Sequence, residues 1–307
     1  MTRAVVFAYH NVGVRCLSVL LAHGVEVTRV VTHRDNPAEA IWFDSVAELA
    51  RLNDLTVLTP DDPNTPAVMA EIEAARPDFI FSFYYRHMIS IALLDLAPRG
   101  GYNMHGSLLP KYRGRVPVNW AIIHGERETG ATLHRMVEKP DAGEIVAQQA
   151  VPILPDDTAR QVFDKVAVAA EMALDSSLPA LLAGNAPHVA QDLTLGSYFG
   201  GRKPEDGRID WTGSARTIHN LVRAVAPPYP GAWFEFMGLR SRLLRTQVSA
   251  STGPALAKAQ MLREGDRLLV HCADGSSLRV LEFECDAIAL DAVSFTQRFG
   301  RGPHSLG

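Results

Sequence analysis

At 307 residues, 47% of them hydrophobic and 21% charged, the chain has the make-up of a soluble globular protein with room for two domains. A net charge of -4 argues against a generally basic nucleic-acid binder, although a local basic face remains open. Three cysteines, Cys16, Cys272 and Cys285, form no CxxC and no complete disulfide framework, and read as small buried hydrophobes.

Residues 4–8 form a short apolar run ending at a polar turn, the pattern of a buried first strand. The spacing of Val14, Leu17, Leu20 and Leu21 predicts a helix over 14–22, stopped by Gly24, and 25–32 reads as a second strand. Helical periodicity through Val46, Leu49 and Ala50 covers 38–51. A strand at 55–58, a helix at 66–75 and a strand at 78–83 follow. Strands alternating with helices imply parallel pairing and right-handed crossovers. The expectation is an open, Rossmann-like, mostly parallel sheet with helices on both faces, its ligand crevice beyond the carboxyl ends of the strands. No GxGxxG follows the first strand, because Ala8-Tyr9-His10-Asn11-Val12-Gly13 lacks the glycines. A nicotinamide-dependent dehydrogenase is therefore disfavoured.

Proline opens an expected helix at 117–124. Strands at 131–137 and 145–151 flank the loop Lys139-Pro140-Asp141-Ala142-Gly143, and an alanine-rich helix over 158–182 is expected to break near 177–179. Residues 200–207 have the glycine, proline and charge content of a linker, so the expected domains are 1–199 and 208–307. Beyond it come a helix at 215–225, a rigid turn at Pro227-Pro228-Tyr229-Pro230-Gly231, and short alternating runs at 233–237, 242–246, 267–270 and 278–283. Such runs suggest a small β-barrel. The N-terminus lacks a signal-peptide h-region and no apolar run approaches ~20 residues, so a cytoplasmic protein without a membrane span is expected.

The polar stretch from Gly101 to Gly114 is where chemistry concentrates. Asn103 and His105 are two apart, so an extended backbone sends both side chains to one face. An amide can bind a developing oxyanion, and an imidazole can move a proton near neutral pH. Pro110 would fix where the pair points. Asp141 taken alone reads as a solvated loop acid, but Ala142 and Gly143 beside it let backbone approach a ligand closely. Tyr84, Tyr85, Arg86 and His87 are either a filled sheet edge or an aromatic and cationic platform for the amino substrate. Phe199, Arg202 and Tyr229 are weaker candidates for a nucleotide portion. Arg113 and Arg115 are either surface charges or partners for carboxylate or phosphate. His10, His33, His124 and His134 lack ligand spacing, and no HExxH occurs, so no metal site is expected.

Asn103-x-His105-x-Ser107-Leu108-Leu109-Pro110, followed by Asp141-Ala142-Gly143, resembles the signature of the folate-dependent formyltransferases. Val5-Val6-Phe7-Ala8-Tyr9-His10, Phe81-Ser82-Phe83-Tyr84-Tyr85-Arg86-His87 and Gly130-Ala131-Thr132-Leu133-His134-Arg135-Met136-Val137 are similar to its branch acting on UDP-4-amino-4-deoxy-L-arabinose in polymyxin resistance. That branch is the formyltransferase part of a bifunctional enzyme whose dehydrogenase domain a chain of this length is expected to lack. The similarity is dense to about Val151 and thins through the last third.

The resemblance implies an OB-like barrel as the C-terminal domain and 10-formyltetrahydrofolate as co-substrate, with no metal. It assigns Asn103 to the oxyanion and His105 to the proton, with Asp141 bonding the imidazole and raising its pKa. It gives His87, Met88, Ile89, Arg115, Val137, Glu138, Lys139, Pro140 and Asp141 to the cofactor, while Tyr84, Arg86, Phe199, Arg202 and Tyr229 stay candidates for the sugar nucleotide from their residue types and positions alone. The implied product is a 4-formamido sugar nucleotide of lipid A modification. Three alternatives stay open. One is another UDP- or dTDP-amino sugar. A second is methionyl-tRNA, for which Arg240, Arg242 and Arg245 are the one basic hint. The third is an inactive folate- or nucleotide-binding module. No nucleic-acid partner is expected, and a homo-oligomer is left open.

Overall fold

The computed structural model describes every residue except Ala38 and Ser251. By contact the chain divides into two units. The first comprises Met1–Pro117, Glu128–Pro152 and Phe163–Gly200, and the second Val118–Arg127, Ile153–Val162 and Gly201–Gly307.

In the first unit, β1 (Arg3–Ala8), β2 (Glu26–Val31), β3 (Val57–Leu58), β4 (Phe79–Phe83) and β5 (Gly101–His105) pair in parallel in the order β3-β2-β1-β4-β5. A separate parallel pair joins β6 (Arg113–Gly114) to β9 (Tyr198–Phe199). The main sheet is completed by β7 (Glu128–Arg135) and β8 (Ile145–Pro152), each antiparallel to its neighbour. Its parallel strands are apolar on both faces because both faces are covered. On one, Val5, Phe7 and Ile80 pack with Ile72 and Ala75 of α3 (Pro66–Ala75) and with Leu93 and Leu94 of α4 (Ile91–Leu94). On the other, α1 (His10–Ala22) meets β1 at Ala8.

Two helices differ from expectation. The helix expected over 38–51 begins only at Val46, in α2 (Val46–Leu52), where the Ser45 hydroxyl accepts the Glu48 N–H. Residues 39–45 are not helical, and Ala38 lies outside the described residues. Aromatic packing explains the late start. The rings of Trp42 and Phe43 close on His10 at 4.4 and 3.9 Å, and the Asp44 N–H donates to the Asn11 side chain at 2.8 Å.

After α5 (Pro117–Ile123), α6 (Ala159–Ala183) runs without the expected break, straight through Pro179. Proline removes one backbone donor, but Leu174, Leu178 and Leu181 are buried around it, and that packing outweighs the lost bond. Contrary to the expectation of no such segment, α6 is long and apolar enough to cross a membrane by length and composition. Half of its most apolar window is buried, as in a core helix.

The second unit is built on α7 (Ala215–Ala224) and a curled antiparallel sheet. Its strands β10 (Ala232–Phe236), β11 (Leu239–Val248), β14 (Ser277–Cys285), β13 (Arg267–His271), β12 (Gln260–Glu264) and β16 (His304–Ser305) pair in that order, with β15 (Ile288–Leu290) on β14. Phe234, Phe236 and Phe283 join Phe295 of α8 (Ala292–Phe299) and Ile218 and Val222 of α7 in one core. Residues Pro204–Gly207 form a short turn, held where the Trp233 indole N–H donates to the Pro204 carbonyl at 2.9 Å. All three cysteines are free and buried.

Candidate active site

Register builds the site at the carboxyl end of β5. Asn103 and His105 share a face, and antiparallel pairing sets His134 of β7 opposite Asn103 and Thr132 opposite His105. The Asn103 amide donates to His134 Nε2 at 3.1 Å. On the far side of that ring, Nδ1 lies 2.9 Å from the Arg135 carbonyl, which can only accept, so Nδ1 carries the hydrogen and Nε2 the lone pair. His105 Nε2 likewise donates to the Tyr112 carbonyl at 2.8 Å, which leaves Nδ1 as the nitrogen able to accept a proton.

Asp141 faces both rings. Its Oδ1 is 3.6 Å from His105 Nδ1 and 3.5 Å from His134 Nε2, while Oδ2 accepts the Gly114 N–H at 2.8 Å. The residue sits in the left-handed region at φ 54°. Its loop is pinned by Gln191, whose amide donates to the carbonyls of Asp141 at 3.1 Å and Gly143 at 2.6 Å. Gly143 is required there, since a Cβ would lie 1.9 Å from the Arg135 carbonyl oxygen.

The turn after β5 is held by more than proline. Thr132 Oγ1 donates to the Ser107 carbonyl at 2.6 Å and accepts the Leu109 N–H at 3.2 Å and the Gln148 amide at 2.9 Å. Ser107 Oγ donates to the Lys111 carbonyl at 2.6 Å.

The electrostatics correct one expectation. Burial lowers the His105 pKa, and it outweighs the lift from Asp141 and from the Tyr112 carbonyl. At 3.6 Å the carboxylate also stands outside good hydrogen-bond distance of the ring. Burial by itself would raise the Asp141 pKa, yet the charge that His105 and His134 gain on protonation, together with the Gly114 amide, holds it well below the usual carboxylate range. A buried, uncharged imidazole beside an ionised carboxylate is suited to take a proton from an amine.

The other candidates are placed as follows. The Tyr84 hydroxyl lies against Gly106, with its ring edge-on to Phe163 at 5.5 Å. Arg86 forms a two-pronged pair with Glu39, both contacts at 2.9 Å, and covers the Tyr9 ring. His87 and Met88 are exposed, whereas Ile89 is buried in the core beneath α4. Arg115 is exposed and its N–H donates to the Phe199 carbonyl at 2.9 Å. Phe199 stacks on Tyr112 at 5.5 Å. Val137, Glu138 and Lys139 are exposed and Pro140 is half-buried, on the approach to Asp141. Arg202 and Tyr229 belong to the second unit, where Arg202 covers the Trp120 ring at 5.0 Å and Tyr229 bonds the Asn119 side chain.

Among the described residues, no group of three or more His, Cys, Asp or Glu could hold a metal ion. Sequence reasoning missed His134, Thr132 and Gln191. His134 and Thr132 were recoverable from period-two spacing in their strand, once that strand was set beside β5.

The chain matches the family model described as formyl transferase over residues 15–178, and the formyl transferase C-terminal domain over 202–300. Similar solved structures include the N-formyltransferase of Helicobacter canadensis, in complex with folinic acid and dTDP-3-aminofucose. It is 19% identical at a TM-score of 0.72, with 91% of this chain and 99% of that one covered. The sugar 3N-formyl transferase WlaRD, solved with dTDP and 5-N-formyl-THF, is 20% identical at a TM-score of 0.72, with coverages of 91% and 97%. A sugar N-formyltransferase from Shewanella sp. is 21% identical at a TM-score of 0.62, with coverages of 78% and 95%. At such identities these likenesses speak to the fold. The match over residues 15–178 takes in more than half of the chain, which therefore belongs to the formyl transferase family of formyl-transferring enzymes.

Proposed function

We propose that the chain moves the formyl group of 10-formyltetrahydrofolate to the 4-amino group of UDP-4-amino-4-deoxy-L-arabinose, in the lipid A modification of polymyxin resistance. The observation that carries the transfer is the convergence of Asn103, His105, His134 and Asp141 from β5, β7 and the 139–143 loop. The folate supplies an activated one-carbon unit and a nitrogen leaving group. One hydrogen of the Asn103 amide is taken by His134, so the second is left to meet the formyl oxygen as it gains charge. His105 Nδ1 receives the proton of the attacking amine, and the ionised Asp141 steadies the resulting cation. The proton then passes to the folate nitrogen as its bond to the formyl carbon breaks. No covalent enzyme intermediate is required.

Support for the sugar nucleotide comes from the segments similar to the UDP-4-amino-4-deoxy-L-arabinose branch and from structural neighbours that are sugar N-formyltransferases. On this reading His87, Met88, Ile89, Arg115 and residues 137–141 face the folate, and Tyr84, Arg86, Phe199, Arg202 and Tyr229 serve the sugar nucleotide. The enzyme works in the cytoplasm, with no nucleic-acid partner and no membrane insertion. A dTDP-amino sugar is the second reading, because two neighbours were solved with dTDP or dTDP-3-aminofucose.

The test is to offer purified protein 10-formyltetrahydrofolate with UDP- and dTDP-amino sugars and charged initiator tRNA, and to find by mass spectrometry which acceptor gains a formyl group. Formylation of the tRNA, or of no acceptor, would overturn the proposal.

A further inference from the structure

Arg223, one of the two buried arginines among the described residues, is satisfied by its own fold, donating to the Asn220 side chain and the Asp157 carbonyl, and half-buried Arg99 donates to the carbonyls of Leu181 and Leu182. Arg113 is the exception. It is 7% exposed, its Nε is buried with no hydrogen-bond acceptor, and it enters no ion pair among the described residues. A guanidinium whose Nε is shut away from water without an acceptor is unfavourable unless an anion completes it.

The backbone around Arg113 is fixed. Its N–H donates to the Ser197 carbonyl at 2.9 Å, and the N–H of the next residue, Gly114, holds Asp141. The unsatisfied cation therefore belongs to the strand that orients the catalytic carboxylate. Arginine keeps its charge at any working pH and presents a planar set of donors suited to phosphate oxygens.

Resting on the sugar-nucleotide reading above, we propose that Arg113 is the residue that binds the diphosphate of that substrate. The geometry of the reactants favours this anion over the folate carboxylates. A single sugar ring separates the attacking amine from the anomeric phosphate, whereas a benzoyl ring and an amide separate the formyl-bearing nitrogen from the nearest glutamate carboxylate. A group one residue from the Asp141 anchor is accordingly matched to the nearer charge.

The experiment compares wild type with Arg113→Gln and Arg113→Lys. It measures calorimetric binding of UDP, dTDP, uridine and 5-formyltetrahydrofolate, steady-state kinetics in each co-substrate, and thermal unfolding. Arg113→Gln should weaken UDP or dTDP binding, and raise KM for the sugar nucleotide, by about 10- to 100-fold, the usual range for losing a charged hydrogen bond. Uridine and folate affinity should hold, kcat should be largely kept, and Arg113→Lys should recover part of the loss. Unchanged nucleotide diphosphate binding in Arg113→Gln overturns the inference. So does a loss confined to folate or to melting temperature. Wild type that binds neither UDP nor dTDP removes the sugar-nucleotide reading together with this inference. Wild-type binding and turnover with an indifferent Arg113→Gln removes the inference alone.

Discussion

Gly114 donates its backbone N–H to the Asp141 carboxylate at 2.8 Å across 27 residues of chain. Two residues earlier the Tyr112 carbonyl accepts from His105 Nε2. One short segment thus sets both members of the imidazole–carboxylate pair, fixing the imidazole from its far nitrogen and the carboxylate from its second oxygen. That segment is in turn held against β9, where Ser197 and Phe199 accept the N–H groups of Arg113 and Arg115. On the proposed mechanism, proton transfer in the β5 site therefore depends on a two-residue strand pair outside the main sheet.

Substituting Gly114 by alanine tests this dependence. Gly114 has φ 96°, and a Cβ there would lie 2.1 Å from the Phe199 carbonyl oxygen. Gly114→Ala must push β6 off β9 and carry the Asp141 anchor with it. A stability loss of ~1–3 kcal/mol, typical of such backbone strain, is expected. A fall in kcat of at least ~100-fold should accompany it, comparable to losing a positioned proton-transfer group. Thermal unfolding and initial rates check both, and a folded variant with wild-type kcat refutes the dependence.

Asp141→Asn should change the pH dependence of stability as well as the rate. The folded carboxyl titrates below its ordinary value of 3.8, so its contribution to stability is present above that pH and lost as pH falls through the folded value. Wild type should lose melting temperature on acidification below about pH 4 more steeply than Asp141→Asn. In the kinetics, burial sets the His105 pKa below 6.5 while Asp141 lifts it. The acid limb of kcat/KM should lie below 6.5 in wild type and move lower still in the variant, with kcat reduced by ~10²- to 10⁴-fold. A limb that stays in place would show that Asp141 does not govern the imidazole.

What sequence made legible was local. Period-two spacing was enough to put Asn103 and His105 on one face, and the helix expected over 66–75 was found at those limits. What it hid was non-local. His134 enters the site only through the register of β7 on β5, which no pattern within either strand specifies. The late start of α2 rests on Trp42 and Phe43 closing on His10, some thirty residues away in sequence, so helical periodicity alone overextended it. Pro179 is tolerated because buried leucines hold α6 together, and propensity does not report packing. The lowered His105 pKa was hidden for the same reason, since burial depth is a property of the assembled sheet.

Thr132→Val is expected to be destabilising despite its near-identical shape. The hydroxyl is fully buried and serves three partners, the Ser107 carbonyl, the Leu109 N–H and the Gln148 amide. Valine leaves the first two in an apolar setting without a replacement, at a cost of ~1–3 kcal/mol for each group left unsatisfied. The 107–110 turn should loosen with it. Denaturant unfolding reads the loss, and equal midpoints for variant and wild type would show that the turn does not lean on Thr132.

The assignment of Asn103 as oxyanion donor carries a consequence for His134. If the imidazole acts by holding the amide in its donating orientation, the two residues form one unit and their effects cannot add. Asn103→Ala should lower kcat by ~10²- to 10³-fold, the range for removing one oxyanion donor. His134→Ala, which leaves the amide free to turn, should cost about tenfold or more, with little change in either KM. In the double variant the second substitution should then cost almost nothing beyond Asn103→Ala. The mechanism separates this from a role for His134 through Asp141, from which its Nε2 stands 3.5 Å. A role through the carboxylate would persist without the amide, so the double variant would be markedly slower than Asn103→Ala alone, and its acid limb would shift relative to that single variant. Additive losses with a displaced limb would move His134 from the oxyanion side of the site to the proton side.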